Sequence, residues 1–166
     1  MKRMELEDRK SVLKIPSEYD GSGSEVMTLC LHELGATCGG LLQILRRVRF
    51  SAYSAKSRAM DTGMLLSYVK EAVSTCLAIA EAFSLRMPSL EDLEASIADK
   101  IDVVKVDSFL CCMSLIGNLS MLAEYYWVLL EGETPKTPED IEIFEDHLAE
   151  ILFDLYLFSY QQNLDF

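Results

Sequence analysis

Proline and glycine are scarce in this chain, at 4 and 8 of its 166 residues. That scarcity argues against a turn-rich all-β sandwich. Histidine is rarer still, with two residues. No spacing of serine, cysteine, histidine and aspartate indicates a nucleophilic catalytic site, and no glycine-rich loop between a strand and a helix offers to cradle a phosphate. What chemistry remains must come from carboxylates and basic side chains.

Basic residues are few as well, 15 against 27 acidic ones, giving a net charge of −12 and a pI near 4.5. A nucleic-acid-binding surface needs lysine and arginine to neutralise phosphates, so the composition argues against a nucleic acid partner. The negative field suits a soluble protein that gathers cations.

The sequence predicts neither a membrane-spanning segment nor a signal peptide. No uninterrupted apolar run reaches the roughly 18 residues that a span requires. The first residues, MKRME, lead into charged residues rather than into the apolar stretch of a signal peptide. The five cysteines are odd in number, match no zinc spacing and lie in apolar segments. We therefore expect reduced, buried thiols and a cytoplasmic location without a membrane partner.

Helical periodicity dominates the remaining sequence, of which 50% is hydrophobic. No segment alternates with the period of a strand. Apolar residues recur at helical spacing along the first predicted helix, at Met27, Leu31, Leu34, Cys38, Leu41, Leu45 and Val48. The pattern predicts an all-α bundle of four main helices plus one short helix, at about 25–49, 61–83, 89–106, 108–130 and 138–162.

We expect two parts in the chain. Residues 1–24 are polar, end in DGSGS and form a flexible arm. Residues 25–166 form a single all-α domain. A weak similarity between residues 71–73 (EAV) and 150–152 (EIL) suggests two helix-hairpin repeats, at 25–106 and 107–166.

Carboxylates stand on each main helix, at Glu33, Glu71, Glu124 and Glu150. Two or three of them converging between helices would bind Mg²⁺, which prefers oxygen ligands. On a helical wheel Glu71 and Glu150 lie opposite the apolar stripes, and Asp146, Glu150 and Asp154 form a row with a spacing of four. That row is either a solvated face or a metal site. Glu33 flanks its stripe, so we expect it to be partly buried.

Two further clusters have both a structural and a functional interpretation. A basic cluster at Arg46, Arg47 and nearby positions either contacts the acidic C-terminal part of the chain or holds triphosphate oxygens. The aromatic run at residues 125–127 (YYW) either lies in the core or a dimer interface, or stacks on a base.

The order of these segments resembles the MazG-like, all-α nucleoside triphosphate pyrophosphohydrolases. Residues 31–36 (LHELGA) followed by 45–47 (LRR) resemble the first motif helix of that family. Residues 67–73 (SYVKEAV), running on to 80–83 (AEAF), resemble its second motif helix, and residues 89–100 resemble the segment after it. The resemblance implies a MazG-like fold, a homo-oligomer and Mg²⁺-dependent cleavage between the α and β phosphates of a nucleoside triphosphate.

The resemblance also assigns roles to individual residues. Glu33 and Glu71 take the places of metal-binding catalytic acids, whereas Ala36 and Tyr68 stand where the family has two further acids. In the second half of the chain, Glu150 matches an acid position and would be a third metal ligand.

The same comparison places basic side chains on the substrate. Lys100 lies near the position of the family's phosphate-directed lysine, and Lys70, Arg46 and Arg47 are further candidates for phosphate binding.

Two functions follow from these observations. The first is a divergent nucleotide-binding protein or Mg²⁺-dependent pyrophosphohydrolase. The second is a catalytically inactive bundle of the same fold that serves as a protein-interaction or structural module, which the missing acids favour.

Overall fold

The computed structural model describes residues 23–50, 55–101, 107–131 and 137–164. These residues form five helices: α1 (Gly23–Phe50), α2 (Ala55–Phe83), α3 (Leu90–Ile101), α4 (Ser108–Glu131) and α5 (Pro138–Gln161). No strand occurs in these ranges, so the prediction of an all-α bundle with one short helix is confirmed. Most of the predicted arm, residues 1–22, lies outside the described residues, and residues 23 and 24 belong to α1.

Four long helices pack as two antiparallel hairpins, α1 with α2 and α4 with α5. The two hairpins pack against each other through two further helix pairs, α1 with α4 and α2 with α5. The connection from α2 to α4 therefore crosses the bundle diagonally, and it contains α3, which rests against α5. The ring of Phe83 at the end of α2 meets Tyr126 and Phe144 at 6.3 Å and 6.0 Å between ring centroids. The two-hairpin layout is compatible with the suggested repeat, which stays a prediction.

Apolar side chains from all four long helices fill the space between them. Leu41, Val69, Leu122 and Leu155 are fully buried, one from each helix. All five cysteines are buried and free, as predicted. The predicted stripe of α1 is wrong at its last position, since Val48 is 48% exposed. It lies near the C-terminal end of α1, while Ile44, one turn earlier, is fully covered.

Helix starts follow the capping signals in the sequence. Thr137 and Asp140 form a capping box at α5, with a 3.2 Å bond from the Asp140 amide to Thr137 Oγ1 and a 2.7 Å bond returning to Asp140 Oδ2. Asp107 Oδ1 accepts the amide of Phe109 at the start of α4. Ser89 and Asp92 form an equivalent pair at α3.

One helix start was predicted wrongly. α2 begins at Ala55, six positions before the predicted start at about residue 61. Asp61 is 3% exposed and pairs with Arg47 instead of capping a helix end. Residues 102–106, predicted as the tail of the short helix, lie outside the described residues.

The glycines of α1 differ in their surroundings. A Cβ atom at Gly40 would lie 2.6 Å from Cζ of Tyr68, whereas one at Gly39 would meet nothing within 4 Å. The Tyr68 ring therefore rests against the α1 backbone and fixes the spacing of the first hairpin. Close packing explains only Gly40 among the glycines of this helix.

We expect alanine at these two neighbouring positions to act in opposite directions. Gly39→Ala should raise the free energy of unfolding by about 0.5–1 kcal/mol, because alanine favours helix. Gly40→Ala should lower it by about 1 kcal/mol, because the crowding of Tyr68 outweighs that gain. Urea unfolding measures both, and in a Tyr68→Ala background Gly40→Ala should become stabilising. Equal effects of the two substitutions in the native background would contradict the close contact.

Candidate functional site

The outward face of α4 is apolar although it faces solvent. Its first and last parts carry large side chains that are between 43% and 60% exposed, namely Phe109, Leu110, Met113, Met121 and Trp127. At 100° per residue these positions fall within an arc of about 140°. Between positions 109 and 127 the same arc also holds small exposed residues, Ser114, Gly117 and Ser120, and one charged residue, Glu124. We call this surface the α4 face.

The α4 face continues into a groove at one end of the bundle. The groove has a volume of about 560 Å³ and its walls come from Leu42, Leu45, Arg46 and Val48 of α1 and from Phe109 and Met113 of α4. At its rim Gln162 Nε2 donates a 2.7 Å hydrogen bond to Ser108 Oγ, which ties the end of α5 to the start of α4. The groove is largely apolar, with one cationic residue, Arg46, and one acidic residue, Asp107, in its lining.

The acids predicted to bind metal are solvent-exposed. Glu33, Glu71 and Glu150 all lie on the surface, so the expected partial burial of Glu33 is wrong. No group of three or more histidine, cysteine or acidic residues gathers into a metal site within the described ranges. The roles of the three acids as ligands stay predictions.

The basic residues predicted to bind phosphate lie in different settings. Lys70 and Arg46 are exposed. Lys100 lies on α3, and its side chain is outside the described residues. Arg47 pairs with Asp61 on α2, with Nη2 and Oδ1 3.4 Å apart. The antiparallel hairpin brings these two together because they stand near its closed end.

The row of three acids on α5 is not a solvated face. Asp146 and Glu150 are exposed, but Asp154 is only 5% exposed. Its Oδ2 accepts a 3.0 Å hydrogen bond from Asn118 Nδ2, and its carbonyl oxygen accepts one from the thiol of Cys111. A wheel centred on Leu148 and Leu155 places Asp154 nearer the apolar stripe than Glu150. The angular position of Asp154 on the wheel therefore indicates its burial, whereas the four-residue spacing of the three acids does not.

Burial raises the pKa of all five thiols above the usual value for cysteine. Burial raises the pKa of Cys30 and Cys38 to about 11 and that of Cys111 and Cys112 to about 12. Burial also raises the pKa of Cys76, helped by the neighbouring thiols of Cys38 and Cys30. Only the thiolate reacts, so thiol reactivity depends on unfolding.

We expect iodoacetamide at pH 8 to leave the folded chain unmodified while it modifies all five thiols in urea. The raised pKa values also predict that stability holds up to about pH 8 and falls above pH 9, because unfolded thiols then lose protons that folded ones keep. Mass spectrometry after timed labelling measures the first effect and urea unfolding at several pH values the second. Rapid labelling of folded protein would contradict the burial.

No family model, curated protein or solved structure matches the chain.

Two helices among the described residues are long and apolar enough to cross a membrane by length and composition, Met60–Phe83 and Ser108–Trp127. Half of the first segment is buried in the bundle, as expected of a core helix, whereas 22% of the second is buried. The second segment contains the α4 face. The absence of a membrane partner stays a prediction.

Proposed function

We propose that this chain is a protein-interaction module, a helical bundle that presents the α4 face to a protein partner. The single observation that carries the proposal is the exposure of large apolar side chains on one side of one helix. Scattered apolar residues are ordinary on a protein surface, but a contiguous apolar patch is typical of an interaction site. Trp127 is 60% exposed and Leu110 is 58% exposed. A partner that covers these side chains would remove apolar surface from water, which favours binding.

Charge supports the same surface. The chain carries 27 acidic residues, yet Glu124 is the only charged residue from position 109 to position 127. Depletion of charge with retention of methionine and aromatic residues is the composition found at the centre of interfaces. The buried, reduced thiols fit a reducing, cytoplasmic setting for such a module.

A single introduced cysteine tests whether the face is covered. The five native thiols are buried, so Ser114→Cys on the α4 face would supply the reactive thiol, and Glu142→Cys on the exposed side of α5 is the matched control. We expect a membrane-permeant maleimide to label Ser114→Cys at least tenfold more slowly than Glu142→Cys in the cells that make the protein. Equal labelling of both, in cells and in concentrated purified protein, would contradict the proposal.

A second candidate is a Mg²⁺-dependent nucleoside triphosphate pyrophosphohydrolase of the MazG-like kind. The observation that favours it is the register of the first hairpin, set by Gly40 against Tyr68. In that register Glu33 and Glu71 are offset by about four residues, or roughly 6 Å along the helices. Both are exposed to solvent and accessible to a ligand. Lys70, Lys100 and Arg46 would then be the candidates for phosphate contacts.

A nucleotide panel separates the two candidates. Canonical and modified nucleoside triphosphates with Mg²⁺ or Mn²⁺ would be scored for pyrophosphate release. The hydrolase requires turnover that Glu71→Gln abolishes and that Glu142→Gln, an exposed acid on α5, leaves unchanged. Absence of turnover, together with absence of a metal-dependent thermal shift, would remove this candidate and leave the interaction module.

A further inference from the structure

We infer that the partner of the α4 face is a second copy of this chain, bound antiparallel about a two-fold axis at Gly117, with Trp127 of each copy in the groove of the other. The inference rests on the proposed function, because it names the occupant of the same surface. Four features of the described residues support this arrangement.

The first feature is the self-complementary order of residues on α4. In an antiparallel pair centred on Gly117, Met113 of one copy lies opposite Met121 of the other, and Ser114 lies opposite Ser120. A two-fold interface requires this reciprocity, since each patch must fit its own copy. In the antiparallel pair, the apolar residues of one α4 face therefore lie opposite apolar residues of the other, and small residues lie opposite small ones.

The second feature is the space at the crossing point. Gly117 is exposed, and a Cβ atom added to it would meet nothing within 4 Å in its own chain. The glycine thus serves no close contact inside the bundle, although it weakens the helix by about 1 kcal/mol relative to alanine. A second helix that crosses here can approach closely, with Ser114 and Ser120 on either side.

The third feature is the position of Glu124, the only charged residue from position 109 to position 127. In the antiparallel pair Glu124 lies opposite Leu110 of the other copy, so the two Glu124 carboxylates stand about 21 Å apart along the helices. That separation exceeds the Debye length of about 8 Å at physiological salt. A parallel pair would instead set Glu124 against Glu124, which favours the antiparallel arrangement.

The fourth feature is the match between Trp127 and the groove. Trp127 follows Phe109 by 18 residues, which is about five full turns, so both lie along one line on α4. A two-fold axis that lies in the contact plane, perpendicular to α4, reverses the direction of α4 in the second copy. It leaves the α1 helices of both copies on the same side of the α4 pair. In the pair centred on Gly117, Trp127 of one copy lies opposite Asp107 of the other and about 3 Å along the helix from Phe109, where the groove of about 560 Å³ opens beside Arg46. An indole packed against a guanidinium and apolar walls is a favourable contact.

The size of the surface sets the expected affinity. From Phe109 to Trp127 the face is about 27 Å long and one helix wide. A contact of that extent lies at the lower end of specific interfaces, near 1,200 Å² in total, so we expect a dimer that dissociates at about micromolar concentrations.

Disulfide trapping tests the geometry. Gly117→Cys would place two thiols at the two-fold axis, within the Cα separation of about 4.4–6.8 Å that a disulfide needs. We expect mild oxidation to link Gly117→Cys into a covalent dimer and to link a mixture of Ser114→Cys and Ser120→Cys proteins. Ser114→Cys alone should stay monomeric, because its own copy lies about 9 Å away along the axis. The buried native thiols do not contribute.

Sedimentation velocity tests the anchor. Trp127→Ala should weaken dimerisation by about thirtyfold or more, as expected of a tryptophan that fills a pocket on the partner. Tyr160→Ala is the matched control, because Tyr160 is also 60% exposed but lies on α5. It should leave the dissociation constant unchanged. Both side chains are exposed in the single chain, so neither substitution should impair folding.

The remaining outcomes overturn the inference in distinguishable ways. Linking of Ser114→Cys alone would indicate a parallel pair. Absence of any cross-link, with slow labelling of Ser114→Cys only when a different protein is added, would keep the interaction module but replace the second copy. Flotation of the protein with phosphatidylcholine vesicles, lost in Trp127→Ala, would make lipid the occupant. Absence of cross-links together with unprotected Ser114→Cys in cells would remove both proposals.

Discussion

Replacing Phe158 by alanine should lower the free energy of unfolding by about 3–5 kcal/mol, because the substitution removes a buried ring and leaves a cavity. Phe158 is 1% exposed and is the largest side chain among the fully buried residues described. It lies in the last part of α5, where the two hairpins meet. A loss of this size consumes much of the stability of an ordinary domain.

Urea unfolding followed by circular dichroism measures this effect. Phe158→Leu keeps most of the apolar volume and should cost much less. Tyr160→Ala, two residues further along α5, removes a ring of similar size that is 60% exposed, and should change stability by less than about 0.5 kcal/mol. If Phe158→Ala and Tyr160→Ala cost the same, the face of α5 assigned to the core is wrong.

Replacing Asn118 by alanine should lower the free energy of unfolding by about 2–3 kcal/mol. The change removes the donor at 3.0 Å from Asp154 Oδ2, and the carboxylate remains 5% exposed inside the bundle. A buried charged acceptor that loses its donor costs more than the hydrogen bond contributed net. The predicted loss therefore comes mainly from the donor that the buried carboxylate of Asp154 loses.

The double variant Asn118→Leu with Asp154→Leu tests that explanation. Removing both polar groups should recover most of the loss, because an apolar pair of similar size needs no hydrogen bond. Coupling between the two sites should be about 2 kcal/mol in a double-mutant cycle. Asp146→Asn, an exposed acid on the same helix, is the control and should leave stability unchanged. A double variant as unstable as the sum of the single ones would contradict the account.

Local signals in the sequence predicted the helices well. Thr137 followed by proline and two acids marked the start of α5 because capping depends only on neighbouring residues. The 3.6-residue periodicity likewise identified buried positions of α1, including Met27, Leu34 and Leu41. An all-α bundle follows from such patterns, since each apolar stripe must be covered by another helix.

The sequence did not predict properties that depend on which helices pack against each other. Asp154 is buried because Asn118 of α4 lies beside it, and Asp61 is buried because Arg47 of α1 reaches it. The aromatic run at 125–127 was assigned as one unit, yet Tyr126 is buried and Trp127 is exposed. Periodicity alone cannot tell an apolar helix that is covered by its own chain from one that is left open.

Fluorescence of Trp127 tests most directly whether a second copy covers the α4 face. It is the only tryptophan in the chain, so its emission reports this position alone. Its emission should lie at short wavelength in concentrated protein and move to the long wavelength of a solvated indole on dilution below micromolar concentration. Gly117→Lys, which places a charge at the crossing, should give the long-wavelength emission at every concentration. Emission that does not depend on concentration in the native protein would contradict the account.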